Sequence, residues 1–122
     1  MAILPVPPDQ DFYSTMRELK WSSTEKAIAR RCFERALQRE LDAAIQSTKE
    51  MAAQIRRAPE LWELEHHLTQ LRKEIDRKYE YKYSTLVLVF ADLVREGKLD
   101  PEDLRGLSEE KLRYIRQHAE AA

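Results

Sequence analysis

Between Leu61 and Asp76 the apolar residues Leu61, Leu64, Leu68, Leu71 and Ile75 recur at steps of three and four, so the segment reads as a helix with one apolar face. About a quarter-turn round the same cylinder, Trp62, Glu65, His66, Thr69, Arg72, Lys73 and Asp76 form a second stripe. The first stripe is expected to be a core seam. The second mixes both signs of charge with an aromatic at its start, which is the makeup of a contact surface. This pattern points to binding before it points to chemistry.

The remaining pattern is helical as well. Ser22-Ser23-Thr24-Glu25 has the form of a capping box, and the helix it opens meets no Gly or Pro before about Arg57. Along it Leu37, Leu41, Ala44, Thr48, Met51 and Ile55 alternate steps of four and three. Ala43, Ala44, Ser47, Ala52 and Ala53 thin its surface and let another helix approach. Ala58-Pro59 breaks the run, because a residue before proline avoids the helical region while proline suits a first turn. The second helix is expected to continue to about Tyr81.

Leu86-Val87-Leu88-Val89-Phe90 taken alone resembles a buried strand. Its continuation decides for a helix, since Leu86, Val89, Phe90, Leu93 and Val94 share a face and Gly97 follows as a C-terminal cap. Asp100-Pro101 starts a short helix that Gly106 ends. Ser108 caps a last helix with Leu112, Ile115 and Ala119 inward and Lys111, Arg113 and Arg116 in water. Pro5, Pro7 and Pro8 forbid a regular helix around them, and over residues 11–20 the helical signal is weak. Residues 1–20 therefore read as an extended or weakly ordered leader and 21–122 as a single helical domain.

Composition narrows the class. With 43% hydrophobic and 35% charged residues and two Gly in 122 residues, the chain is expected to be all-α, a long helical hairpin plus short C-terminal helices. Twenty-one basic and 22 acidic residues leave a net charge of -1, so no bulk field favours nucleic acid or an anionic membrane. No apolar run approaches the roughly 20 residues of a spanning helix, and no secretory pattern opens the chain, so a cytoplasmic location is expected. Cys32, the lone cysteine, reads as a small core filler. A first helix of about 50 Å exposes more apolar stripe than the short helices can cover. Pairing of two copies is the simplest remedy, with Leu37, Leu41, Ala44, Ile45 and Thr48 as the candidate dimer interface.

Catalytic chemistry finds little support. Glu63-Leu64-Glu65-His66 has the Glu-x-x-His spacing of carboxylate-bridged metal sites, yet it occurs once, and Glu34 or Glu40 would have to complete it. His66 and His67, adjacent on a helix, diverge by about 100° and do not share a ligand. There is no phosphate loop or nucleophile turn, so no catalytic residue, metal or cofactor is expected. Trp62 off the leucine seam reads as a partly exposed anchor, and Arg72 as the charged end of its patch. Arg30, Arg31, Arg35 and Arg39, interleaved with Glu25, Glu34 and Glu40, read as a solvated face. Two other readings stay open at this point, a carboxylate-bridged metal protein using Glu63 and His66, and a helical adaptor for an unrelated partner.

From Trp21-Ser22 through Phe33 to Arg39-Glu40-Leu41-Asp42, then Leu61-Trp62, the run Arg72 to Tyr79, Val89-Phe90-Ala91 and Glu96-Gly97, the chain resembles the fluorescence recovery proteins of cyanobacterial photoprotection. The resemblance covers about a hundred residues in order. It implies an all-helical homodimer that binds the light-activated orange carotenoid protein, mainly through that protein's C-terminal domain. It also implies faster return of the red form to the orange one and release from the phycobilisome, which would bring the chain to the thylakoid surface through its partner. Trp62 and Arg72 fall on the family's functional tryptophan and arginine. His66 stands where the family usually has an acid, and Glu65 where some members have histidine, so a group able to be neutral or positive replaces an anion. The partner-binding set that follows is Trp62, Glu65, His66 and Arg72.

Overall fold

The computed structural model describes residues 8–120, and every regular element among them is helical: α1 (Pro8–Glu18), α2 (Ser23–Ala53), α3 (Ala58–Lys78), α4 (Leu86–Arg95), a 3₁₀ turn (Pro101–Leu104) and α5 (Glu109–Glu120). The fold is all-α with two long helices. The capping box forms, with Ser22 Oγ accepting from the Glu25 amide at 3.1 Å and Glu25 Oε1 accepting from the Ser22 amide at 3.0 Å. α2 stops at Ala53 rather than near Arg57, and Pro59 sits in the first turn of α3. α3 ends at Lys78, short of Tyr81, because Tyr79 turns out of the helix and carries its ring edge-on to Phe33, 5.6 Å between centroids. Gly97, at φ +74°, donates to Val94 and closes α4.

The core gathers at one end. The N-terminal half of α2 supplies Ile28, Ala29, Cys32, Phe33 and Ala36, while α4 supplies Leu86, Val87, Phe90, Ala91 and Leu93. Leu99, Leu104 and Leu107 cover this layer, and Ile115 of α5 closes it. Gly106 is needed for close approach as well as for its φ of +107°, since a Cβ there would stand 2.5 Å from Ile28 Cδ1. Within the leader, Pro8–Glu18 is helical and Met16 is buried in this core, so that stretch is neither extended nor detached. The expected extended run ahead of it lies outside the described residues. Cys32 is buried, its Sγ donating to Asp103 O at 3.0 Å, and burial followed by the charge of Asp103 pushes its thiol up.

Two expectations are corrected by the packing. The leucine stripe of α3 is not a core seam within the chain: α3 has no buried residue, and Leu61 remains 47% exposed. Lys111, expected in water, is 3% exposed. It shares the inward face of α5 with Ile115 one turn on, and its Nζ donates to Glu25 Oε2 at 2.9 Å and Lys20 O at 2.6 Å, 4.8 Å from the Trp21 ring. Burial alone would raise the Glu25 carboxyl, but the Ser22 amide, Lys111 and the Ser108 amide together hold it at about 2. The arginine cluster is a solvated face, as expected: Arg30, Arg31, Arg35 and Arg39 are all exposed. From that face the Arg30 guanidinium lies 3.8 Å from the Tyr81 ring centre and Arg39 donates to Lys98 O at 3.0 Å.

Candidate partner-binding surface

α3 begins in an exposed turn with Pro59 in its first turn, and Trp62, the fifth residue beyond the N-cap Arg57, lies far along the chain's long helices from the core. Trp62 is therefore 61% exposed, a large apolar ring left in water. Glu65 and His66, one turn further, are exposed as well, while His67 is half-buried, as expected for neighbours that diverge round the cylinder. Arg72 lies ten residues from Trp62, about 15 Å along the axis. Its Nε stands 4.0 Å from Asp76 Oδ2, both side chains well solvated, so the pair adds little stability and leaves most of the guanidinium's donors available.

Arg72 has a second setting. With Asp76 it rims an open groove of about 590 Å³ floored by Leu41, Ala44, Ile45 and Thr48 of α2 and by Leu68, Leu71 and Ile75 of α3. Four of the five expected interface residues thus meet the α3 seam in one apolar depression. Leu37 does not join them; it packs against the core. Ile45 is 52% exposed, and Leu41 and Leu68 are exposed too. Trp62 is not among the groove-lining residues, so the structure separates an apolar groove from an aromatic-and-charged ridge, with Arg72 common to both.

Such an arrangement can hold a protein surface by burial and by charge-assisted hydrogen bonds, without any covalent step. Among the described residues no three His, Cys, Asp or Glu side chains come together to hold a metal. Glu63 and His66 are solvated, and Glu40 is committed elsewhere. No helix among the described residues is long and apolar enough to cross a membrane.

That commitment of Glu40 is the long-range geometry that sequence reasoning missed. Lys78 Nζ donates to both Glu40 oxygens at 2.7 and 3.0 Å and to Glu96 at 3.0 Å, and the Tyr79 hydroxyl reaches Glu40 at 2.8 Å and Ala36 O at 3.1 Å. Burial would raise the Glu40 carboxyl, but the hydrogen bonds from Lys78 and Tyr79 outweigh it and hold it below the usual range. Burial would lower the Lys78 ammonium, and its two carboxylates raise it instead; the Tyr79 phenol is raised by burial and by Glu40. Thirty-eight residues separate Lys78 from Glu40, so no local spacing could have announced the pair.

Comparison with known proteins converges on one family. A family model described as "Photoprotection regulator fluorescence recovery protein" matches residues 21–119. The fluorescence recovery protein of Synechocystis sp. is 37% identical over 99 residues, which cover 81% of this chain and 91% of that protein. The structure of the Fremyella diplosiphon fluorescence recovery protein superimposes with a TM-score of 0.79 at 40% identity, covering 83% of this chain and 99% of that one. The Synechocystis structure gives a TM-score of 0.79 at 37% identity with the same coverage, 83% and 99%. With sequence and fold agreeing over the same stretch, the chain belongs to the fluorescence recovery protein family.

Proposed function

We propose that this chain binds the light-activated, red form of the orange carotenoid protein, chiefly through its C-terminal domain, speeds its reversion to the orange form and promotes its release from the phycobilisome, ending quenching. Family membership supports the partner, and the observation that carries the site is a solvated tryptophan on a helix with no buried residue, which also exposes His66 and Arg72. The protein is a regulator, not an enzyme. It accelerates a conformational return by holding the crossing state more tightly than the open one, since equal affinity for both would change no rate. A preference of about 1.4 kcal/mol gives a tenfold acceleration, within reach of one anchored indole and one guanidinium contact.

In this reading Trp62, Glu65, His66 and Arg72 meet the partner. The two long helices act as a helical hairpin within a single domain over 21–122, and two copies pair through the groove at Leu41, Ala44, Ile45 and Thr48. Pairing removes the exposed apolar floor from water, a reason for the dimer that rests on area alone. The dimer works in the cytoplasm and meets the thylakoid surface through its phycobilisome-bound partner. Dark reversion of activated orange carotenoid protein, followed by absorbance with and without this chain, tests the whole reading: acceleration is expected, and an unchanged rate overturns it. Trp62→Ala is expected to lose most of the acceleration; full activity in that variant removes the proposed ridge.

A further inference from the structure

α3 carries the ridge, and none of its residues is fully buried: residues 54–57 join its start to α2, and Leu64, Leu71 and Ile75 are only half-buried along the seam, so its far end needs a further hold. Among the described residues, every side-chain hydrogen bond linking α3 or its C-cap to a distant part of the chain belongs to Lys78 or Tyr79. Lys78 grips α2 through Glu40 and the end of α4 through Glu96 at once. Tyr79 ties the next residue to Ala36 O, one turn away on α2, while its ring rests on Phe33 in the core. We propose that Lys78, Glu40 and Tyr79 form a clasp that sets the direction of α3 and so the place of the Trp62–Arg72 ridge relative to the α4–α5 end; they are positioning residues for partner contact.

Leverage makes the clasp matter. Trp62 lies 16 positions from Lys78, about 24 Å along the axis, so a tilt of about 10° at the clasp displaces the indole by about 4 Å. Contact sites tolerate misplacements on the order of 0.5 Å. With Glu40 held low and Lys78 held high, the clasp stays charged and closed across the neutral range.

Only the use made of the positioning rests on the function proposed above, so the test separates the two. Spin labels on Glu63→Cys of α3 and Gln117→Cys of α5 report the distance between the ridge-bearing helix and the core end; buried Cys32 stays unlabelled. Diluting the doubly labelled chain into excess unlabelled protein keeps only distances within one chain. Without the clasp mutated, a narrow distribution is expected. Lys78→Met should broaden it by several ångström and cut the acceleration of carotenoid-protein recovery at least threefold at unchanged helix content, and Lys78→Arg should restore both. A purely structural residue would lower the melting temperature and leave the distribution narrow, and that result in folded Lys78→Met overturns the clasp. If Lys78→Met does not fold, Tyr79→Phe keeps the ring on Phe33 and deletes the two hydroxyl bonds, and an unchanged distribution there overturns it equally. A wild-type chain that fails to accelerate recovery while the distances behave as stated strikes the proposed function and leaves the clasp standing.

Discussion

The two halves of α2 carry the same kind of apolar periodicity and meet opposite fates. In the first half Ala29, Phe33 and Ala36 are sealed under α4 and α5, with a buried Glu25–Lys111 pair at the edge. In the second half Leu41 and Ile45 face α3 across an open groove, and α3 buries nothing of its own. A stripe becomes core only where a third layer arrives to close it. Where two helices meet with no third layer, the apolar area is left for something outside the chain. One end of this molecule is therefore closed by its own helices, and the other leaves an apolar groove open.

Truncation at the closed end should produce the largest effect. Phe90 is wholly buried, so Phe90→Ala is expected to lower stability by about 3–5 kcal/mol. The same kind of truncation on α3, Leu68→Ala, removes a side chain that water already reaches and should cost well under half as much in the isolated chain. Denaturant midpoints of the two variants, measured at concentrations where the chain is monomeric, check the contrast. Equal losses would erase it.

The buried pair gives the closed end an acid limit. A Glu25 carboxyl held at about 2 instead of 4.5 contributes roughly 3 kcal/mol. Because the folded value is the lower one, that stabilisation is fully present above about pH 4.5 and disappears as the pH falls toward 2. Glu40, also lowered, acts in the same sense. Urea midpoints should fall steeply between pH 5 and 3, and Glu25→Gln should start from a lower midpoint and show a flatter fall. A mutant as pH-sensitive as the parent would show that other carboxylates set the limit.

At the open end the expected loss is of association rather than of fold. Ile45→Glu places a charge on the floor of the groove, where pairing of two copies would desolvate it. Light scattering should report a monomer with unchanged helix content and a midpoint within about 1 kcal/mol of the parent chain's. A persistent dimer would move the proposed interface away from the groove.

What the sequence made legible follows the same division. The capping box at Ser22, the start of α3 at Ala58-Pro59, the cap at Gly97 and the start at Asp100-Pro101 are local devices, each satisfied within three or four residues, and all are found where spacing puts them. The Lys111–Glu25 pair spans 86 residues and the Lys78–Glu40 pair 38, so their partners are set by how α5 and α3 return to α2. Periodicity ranks Lys111 as solvated because it sees a charge and not the carboxylate waiting opposite. It ranks the α3 stripe as core for the converse reason, since five apolar residues on one face do not reveal whether anything covers them. Trp62, off the leucine stripe, is exposed as expected, on a helix that nothing in the chain covers on that side.

The smallest expected change in stability belongs to the residue with the largest proposed role. The Trp62 indole is mostly solvated and makes no aromatic or cation contact within the described part of the chain, so Trp62→Ala should shift the denaturation midpoint by less than about 0.5 kcal/mol. A side chain that adds so little to its own fold can be removed without disturbing it, so its loss reads out contact alone. Joint measurement makes this decisive. Recovery activity lost at an unchanged midpoint places the tryptophan in the contact; activity and midpoint lost together would mean that the ring supports α3, and the division between a closed end and an open end would have to be redrawn at Pro59.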